Sequence, residues 1–228
     1  MLPLILARPP DRPLSVLALG AHPDDIEIGA GGTLLSLAQS QPGLAVRYVV
    51  LTGSAERRAE ARSAASAFLP GADLTVTLHD LPEGRLPQVW AEVKDTLEGI
   101  AATTAPDLVI GPSARDAHQD HRTVGEIVPT VFRDHLCLAY EIPKWDGDLG
   151  QPALYVPMSA GTARRKVDLL HACFPSQRAR DWWDDDVFLG LARLRGMECR
   201  SPYAEAFTSA KALIQVLAPT DDKQAETR

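Results

Sequence analysis

Short apolar runs recur along the first half of the chain, and the segments between them carry helical character. Leu14–Gly20 (LSVLALG) is compact and ends in glycine; Leu44–Thr52 (LAVRYVVLT) is rich in Val and Tyr. Leu74–His79 alternates, Asp107–Gly111 is short and almost wholly apolar, and Leu136–Ile142 and Leu154–Met158 are later strand candidates. Runs that are apolar on both faces suit strands covered by helices on both sides. Helices are predicted over Gly29–Gln39, Ala55–Leu69, Gln88–Thr104, Thr123–Arg133, Ala160–Cys173 and Trp182–Arg195. Strand and helix alternating at this spacing predict repeated βαβ units. The expectation is therefore an α/β three-layer sandwich, a mostly parallel sheet with helices on both faces. Beyond about residue 140, Pro143, Gly147, Gly150, Pro152 and Pro157 mark loops. No repeat or linker divides the chain, so residues 1–228 are read as one domain with a core over about 14–215. The polar stretch from Pro219 is expected to fray.

Composition narrows the classes. Of 228 residues, 45% are apolar and 23% charged, which suits a sizeable core and argues against disorder. Thirty acidic against 23 basic residues give a net charge of −7, so a nucleic-acid partner is not expected. The apolar stretch Met1–Ala7 is interrupted by Pro3 and is too short for a signal-peptide core. No segment approaches the ~18 uninterrupted apolar residues of a bilayer span. Cys137, Cys173 and Cys199 are odd in number and form no CxxC pair. They read as reduced, mostly buried thiols of a cytoplasmic protein.

The chemistry gathers at two strand ends. The first predicted strand runs into Gly20-Ala21-His22-Pro23-Asp24-Asp25, in the region where open α/β sheets bind ligands. Pro23 stiffens this loop, and His nitrogen with carboxylate oxygen makes a good Zn²⁺ donor set. Alone, such a motif is as well explained by a solvated turn. The second cluster, Asp116-Ala117-His118-Gln119-Asp120-His121, follows the fourth predicted strand and falls on the same sheet edge. If a helix starts near Asp120, His118 and His121 lie close together at its first turn. The two strand ends together supply enough ligands for a tetrahedral metal with one open position.

AHPDDIEIGAGGTL and DAHQDH resemble the two signature blocks of the LmbE-like de-N-acetylases, a family that includes N-acetylglucosaminyl-phosphatidylinositol de-N-acetylase. Supporting stretches are Leu51-Thr52-Gly53, Arg57 with Glu60, Ser176-Gln177 and Tyr203-Ala204-Glu205-Ala206-Phe207, so the resemblance spans most of 14–210. Gln119 departs from the proline usual in the second block, a change that loosens the loop in expectation but removes no ligand. The resemblance implies a Rossmann-like fold and a metal-dependent hydrolase that removes acetyl from an N-acetylated amino sugar. By position, His22, Asp25 and His121 would bind the metal and Asp24 would be the general base. His118 would be the second group near the substrate carbonyl, and Asp120 the carboxylate that orients a histidine. Arg57 would touch substrate, with Arg58 as its rival.

Physical chemistry agrees with that assignment. Zn²⁺, or Fe²⁺ in its place, acidifies water and polarises an amide carbonyl. A carboxylate not engaged on the metal can take the proton, and a protonated His118 would stabilise an oxyanion. Either Asp24 or His118 could then protonate the departing amine. The expected partner is a small N-acetylated sugar, and self-association of the chain is left open. The rival reading is a nucleotide- or dinucleotide-binding module holding Mg²⁺ at its acidic loop, suggested by Gly29-Ala30-Gly31-Gly32 after a strand. Against it, the acidic residue expected at the end of the second strand is absent, and helix–sheet packing is the preferred reason for the glycines. Trp182-Trp183-Asp184-Asp185-Asp186 is read as a buried aromatic anchor followed by an acidic helix start.

Overall fold

A computed structural model describes residues 2–6 and 9–214; the expected polar tail from Pro219 lies outside the described residues. The chain runs β1 (Ser15–Gly20), α1 (Asp25–Ser40), β2 (Ala45–Thr52), α2 (Ala55–Phe68), β3 (Asp73–Leu81), a 3-10 turn (Leu86–Val89) and α3 (Trp90–Ala101). It continues through β4 (Leu108–Pro112), α4 (Gln119–Val131), β5 (Leu136–Tyr140), β6 (Leu154–Met158), α5 (Ala160–Cys173), a second 3-10 turn (Pro175–Gln177), α6 (Asp185–Cys199) and β7 (Tyr203–Thr208). One sheet holds seven strands in the order β3-β2-β1-β4-β5-β7-β6. The first five strands are mutually parallel, and β7 runs antiparallel to both β5 and β6.

Alternation along the strands feeds two cores. Val16 and Ala18 of β1 pack with Ile26, Leu34, Phe68 and Leu170 from α1, α2 and α5. Leu17 and Leu19 face the other way, onto Val93 and Leu97 of α3 and Val124 and Ile127 of α4. Both faces of the sheet are therefore covered, the α/β architecture expected from strands apolar on both sides. The order places β1 beside β4 at the centre. The chain leaves β1 for β2 on one side and leaves β4 for β5 on the other, so the loops after β1 and β4 diverge and open a crevice.

Three helix starts are corrected, and two further expectations with them. Helix α1 starts at Asp25, not Gly29, because the acidic residues Asp25 and Glu27 are buried in its first turn. Helix α4 starts at Gln119 rather than Thr123, and α6 at Asp185 rather than Trp182, with Asp184 accepting the Val187 amide as its cap. The strand β7 was not anticipated, since Glu205 interrupts its apolar pattern. The three cysteines are free and half-buried rather than buried. The glycines of α1 face protein: a Cβ at Gly29 would stand 2.5 Å from the Tyr140 ring, and one at Gly31 2.6 Å from Phe68. Close packing, not a phosphate loop, accounts for them.

Glu205 explains its own place in β7. Its carboxylate accepts from the backbone N–H of Gly32 (2.7 Å) and Thr33 (2.6 Å), in the middle of α1. Lys166 of α5 donates to it at 2.7 Å and to the Ile28 carbonyl at 2.6 Å. Both residues are buried. Removing one partner of a buried ion pair strands the other charge, so Glu205→Ala is expected to cost about 3–5 kcal/mol. Urea unfolding measures it; a loss below 1 kcal/mol would mean this contact does not hold α1.

Candidate metal centre

The crevice between the β1 and β4 ends contains the residues of both sequence clusters. His22 lies in the turn after β1 and Asp25 opens α1; His118 caps α4 and His121 sits in its first turn. His22 Nδ1 and His121 Nε2 are 3.0 Å apart. Asp25 comes within 3.6 Å of His22 Nδ1 and 3.2 Å of His121 Nε2. For a tetrahedral ion with bonds of about 2.0–2.1 Å, neighbouring donors stand roughly 3.3 Å apart. His22, Asp25 and His121 match that spacing. His22, His118 and His121 also form a looser group, with ligand atoms within 4.8 Å of one another.

The outer nitrogens of both rings are taken. His22 Nε2 is 3.0 Å from Asp120 Oδ2, and His121 Nδ1 is 2.9 Å from Asp116 Oδ2. With each outer N–H donating to its aspartate, the inner nitrogens turn their lone pairs toward each other and toward Asp25. In that neutral form the two lone pairs and the Asp25 carboxylate make a donor set for a cation; in the protonated form the inner N–H groups face Asp25 instead. Charge points the same way. Asp24, Asp25, Asp116 and Asp120 are all buried, and the fixed cations beside them are Arg57 and Lys144. Asp25 and Asp120 have no fixed cation beside them, and their positive charge comes either from protonated His22 and His121 or from a divalent ion in the place of those protons. The mixed nitrogen and oxygen donors suit Zn²⁺ or Fe²⁺ better than Mg²⁺.

The ionisation pattern follows from this crowding. Burial pulls both His22 and His121 toward neutrality, but Asp25 together with Asp120 pushes His22 up to about 9. Burial is likewise outweighed at His121, which Asp25 and Asp116 push up to about 10. Burial would raise Asp120, yet His22 and the amides of Leu86 and Gly84 hold it below the usual carboxylate range. Those amides donate at 3.0 and 2.6 Å, so Asp120 also ties the β3–α3 connection to the site. Gln119 adds a bond from Nε2 to the Gly84 carbonyl at 3.2 Å. Gln119 thereby joins the start of α4 to the β3–α3 connection.

Asp24 stands apart from its neighbour. Its φ of 100° lies in the left-handed region, a conformation that costs a non-glycine residue on the order of 1–3 kcal/mol and concentrates at functional sites. Its carboxylate bonds none of the histidines; Arg57 Nη2 approaches it at 3.2 Å and also reaches the Pro23 carbonyl at 2.7 Å. Arg57 Nη1 is held by Glu83 at 2.7 Å, whereas Arg58 bonds the Gly53 carbonyl and does not enter the site. Burial raises Asp24, Arg57 lowers it and Asp25 raises it again, leaving it at about 7. At His118, burial and then the neighbouring His22 and His121 lower the pKa below the ordinary imidazole value. The imidazole Nδ1 of His118 accepts the Asp120 amide at 3.3 Å, so the neutral ring carries its proton on Nε2. Glu27, in the first turn of α1, accepts from the Tyr48 hydroxyl at 2.9 Å.

From the sequence, Asp116 has no role beyond opening its block, and Lys144 stands out only as part of the Tyr140–Asp146 stretch, placed after a predicted strand at the rim of the site. Asp116 opens the second histidine block, and Lys144 follows β5, the strand next to β4, so adjacency in the sheet was the signal available.

With two strand-end clusters meeting on one cation-sized slot in an α/β sheet, the class of protein is defined. The chain belongs to the PIG-L family (GlcNAc-PI de-N-acetylase), whose model matches residues 17–132. It is 32% identical over 141 residues to the uncharacterized deacetylase YaiS of Escherichia coli, covering 56% of this chain and 74% of that protein. The fold is that of the Pyrococcus horikoshii N,N'-diacetylchitobiose deacetylase, with 21% identity, a TM-score of 0.67 and coverage of 92% and 88% of the two chains. It is equally that of GalB, the 4-carboxy-2-hydroxymuconate hydratase of Pseudomonas putida, at 17% identity, a TM-score of 0.68 and coverage of 90% and 100%.

Because Arg57 is the group that lowers Asp24, Arg57→Met is expected to move the Asp24 pKa upward from about 7. A carboxyl ¹³C titration of both proteins reads it; an unchanged or lower midpoint would contradict the pairing.

Proposed function

We propose that this chain is a metal-dependent hydrolase, Zn²⁺- or Fe²⁺-loaded, that removes the acetyl group from an N-acetylated amino-sugar conjugate. The observation that carries the reading is the convergence of His22 Nδ1, His121 Nε2 and Asp25, at 3.0–3.6 Å from one another, beside an Asp24 that bonds none of them. His22, Asp25 and His121 would hold the ion. When bound, it supplies Lewis acidity, lowering the pKa of water and polarising an amide carbonyl.

The remaining roles fall to the chain's own groups. Asp24, poised at about 7, takes a proton from water near neutral pH and can return it to the departing amine. His118 with a depressed pKa is neutral, and its Nε2–H can donate to the oxyanion without a full charge. This division favours Asp24 over His118 as the proton donor to the amine. Arg57 keeps Asp24 ionised and oriented, and Asp120 fixes the His22 ring. Substrate is taken as a small molecule reaching the crevice from solvent; no helix among the described residues is long and apolar enough to cross a membrane. A cytoplasmic location is part of the same proposal, in keeping with three free cysteines.

Two variants separate binding from chemistry. Asp24→Ala is expected to keep Zn²⁺ and lose at least 10²-fold in acetate release from N-acetylglucosamine conjugates, whereas His121→Ala loses the metal itself. Elemental analysis with an acetate assay decides; full metal content in His121→Ala would refute the ligand assignment. Since His22 and His121 sit at about 9 and 10 before metal enters, binding at pH 7 must expel protons. Calorimetry in buffers of different ionisation heat is therefore expected to show proton release and an affinity that rises with pH. An affinity flat between pH 6 and 9 would count against these ligands.

A further inference from the structure

Residues 141–153 join β5 to β6 without regular structure, yet one side chain fastens both sides of this segment. Arg195 of α6 bonds Glu141 from Nε at 2.9 Å and from Nη2 at 2.7 Å, and donates to the Gly150 carbonyl at 3.0 Å. The strap so formed is pressed onto the second histidine cluster. Lys144 Nζ lies 3.0 Å from Asp116 Oδ1. Asp148 accepts from Lys144 at 2.8 and 2.9 Å and from the Ala117 amide at 2.6 Å. Gly147, at φ 62°, supplies the left-handed turn between Lys144 and Asp148.

Asp116 is the point on which this acts. Its Oδ2 meets His121 Nδ1 at 2.9 Å, while Oδ1 accepts the His118 amide at 2.8 Å and faces Lys144. A carboxylate clamped on both oxygens cannot rotate, and the imidazole it holds cannot turn. We propose that Lys144 is a positioning residue for the cation slot: through Asp116 it fixes the His121 ring so that Nε2 faces His22 and Asp25. This rests on the metal reading above but adds a residue that neither histidine block contains. Lys144 touches no reacting atom, so its effect is on how well the slot is formed rather than on the chemistry.

Zn²⁺ alone is the probe, used on the whole chain. Lys144→Met is expected to weaken Zn²⁺ binding on the order of 10–100-fold in competition with a chromophoric chelator. Lys144→Arg, which keeps a donor within reach of Asp116, restores affinity to within a few-fold. In the metal-free protein, the downfield proton of His121 Nδ1–H, protected by its bond to Asp116, should be lost in Lys144→Met and regained in Lys144→Arg. Trp145→Ala controls for general loosening, because it cuts the strap's bond from the indole to Asp181 without touching Asp116; its Zn²⁺ affinity should match the unaltered protein. Equal weakening in Lys144→Met and Trp145→Ala would reduce Lys144 to a structural tie and overturn the proposal. An unchanged Nδ1–H signal in Lys144→Met would overturn it as well. Absence of Zn²⁺ uptake by the unaltered protein would overturn the metal reading, while the imidazole proton still decides whether Lys144 governs His121.

Discussion

Two imidazole lone pairs and a carboxylate turned inward on one another cannot rest together in a buried space without positive charge among them. Nearly every other feature around the crevice serves to keep them so turned. Asp120 and Asp116 occupy the outer nitrogens and deny the rings any other orientation. The amides of Gly84 and Leu86 hold Asp120, and Lys144 with the His118 amide holds Asp116. The hydrogen bonds around the centre thus hold the rings in place, and the histidines' own protons supply the positive charge that the centre needs in the metal-free chain.

Strand order supplies the place and backbone conformation divides the labour. Only between β1 and β4 do adjacent parallel strands send their connections in opposite directions, so a loop from each can approach without crossing. Within the first loop, Asp24 and Asp25 are neighbours in sequence with opposed duties. Asp25 begins α1 and faces the histidines, whereas the left-handed turn at Asp24 directs its carboxylate to Arg57. The strain at Asp24 is what lets consecutive acids face different partners in so small a volume.

Much of this was legible in the sequence because it is local. Strands apolar on both faces announced a covered parallel sheet, and two histidine-bearing segments at strand ends announced a shared site. The helix starts were less legible, since Asp25 and Gln119 look like loop residues until one knows that their polar groups are satisfied inside the fold. Strand β7 was hidden for the same reason: Glu205 breaks the apolar run, and only α1 and Lys166, distant in sequence, explain why a carboxylate is buried there. Lys144 carries no spacing signature at all. Its relevance depends on β5 lying beside β4, which no pattern along the chain states directly. The GalB likeness also limits what architecture alone conveys, since a hydratase shares the frame.

The bond from β7 into the middle of α1 has a bearing on the order in which the molecule can be completed. Helix α1 begins with Asp25, but the amides of Gly32 and Thr33 wait for a carboxylate about 170 residues further along. A nascent polypeptide that has not yet emerged past Tyr203 leaves those amides without this carboxylate and Lys166 without its counter-charge. The first helix is therefore braced by the strand that comes last in chain order among the described residues, and a chain interrupted before that strand carries the histidines without the brace beneath them.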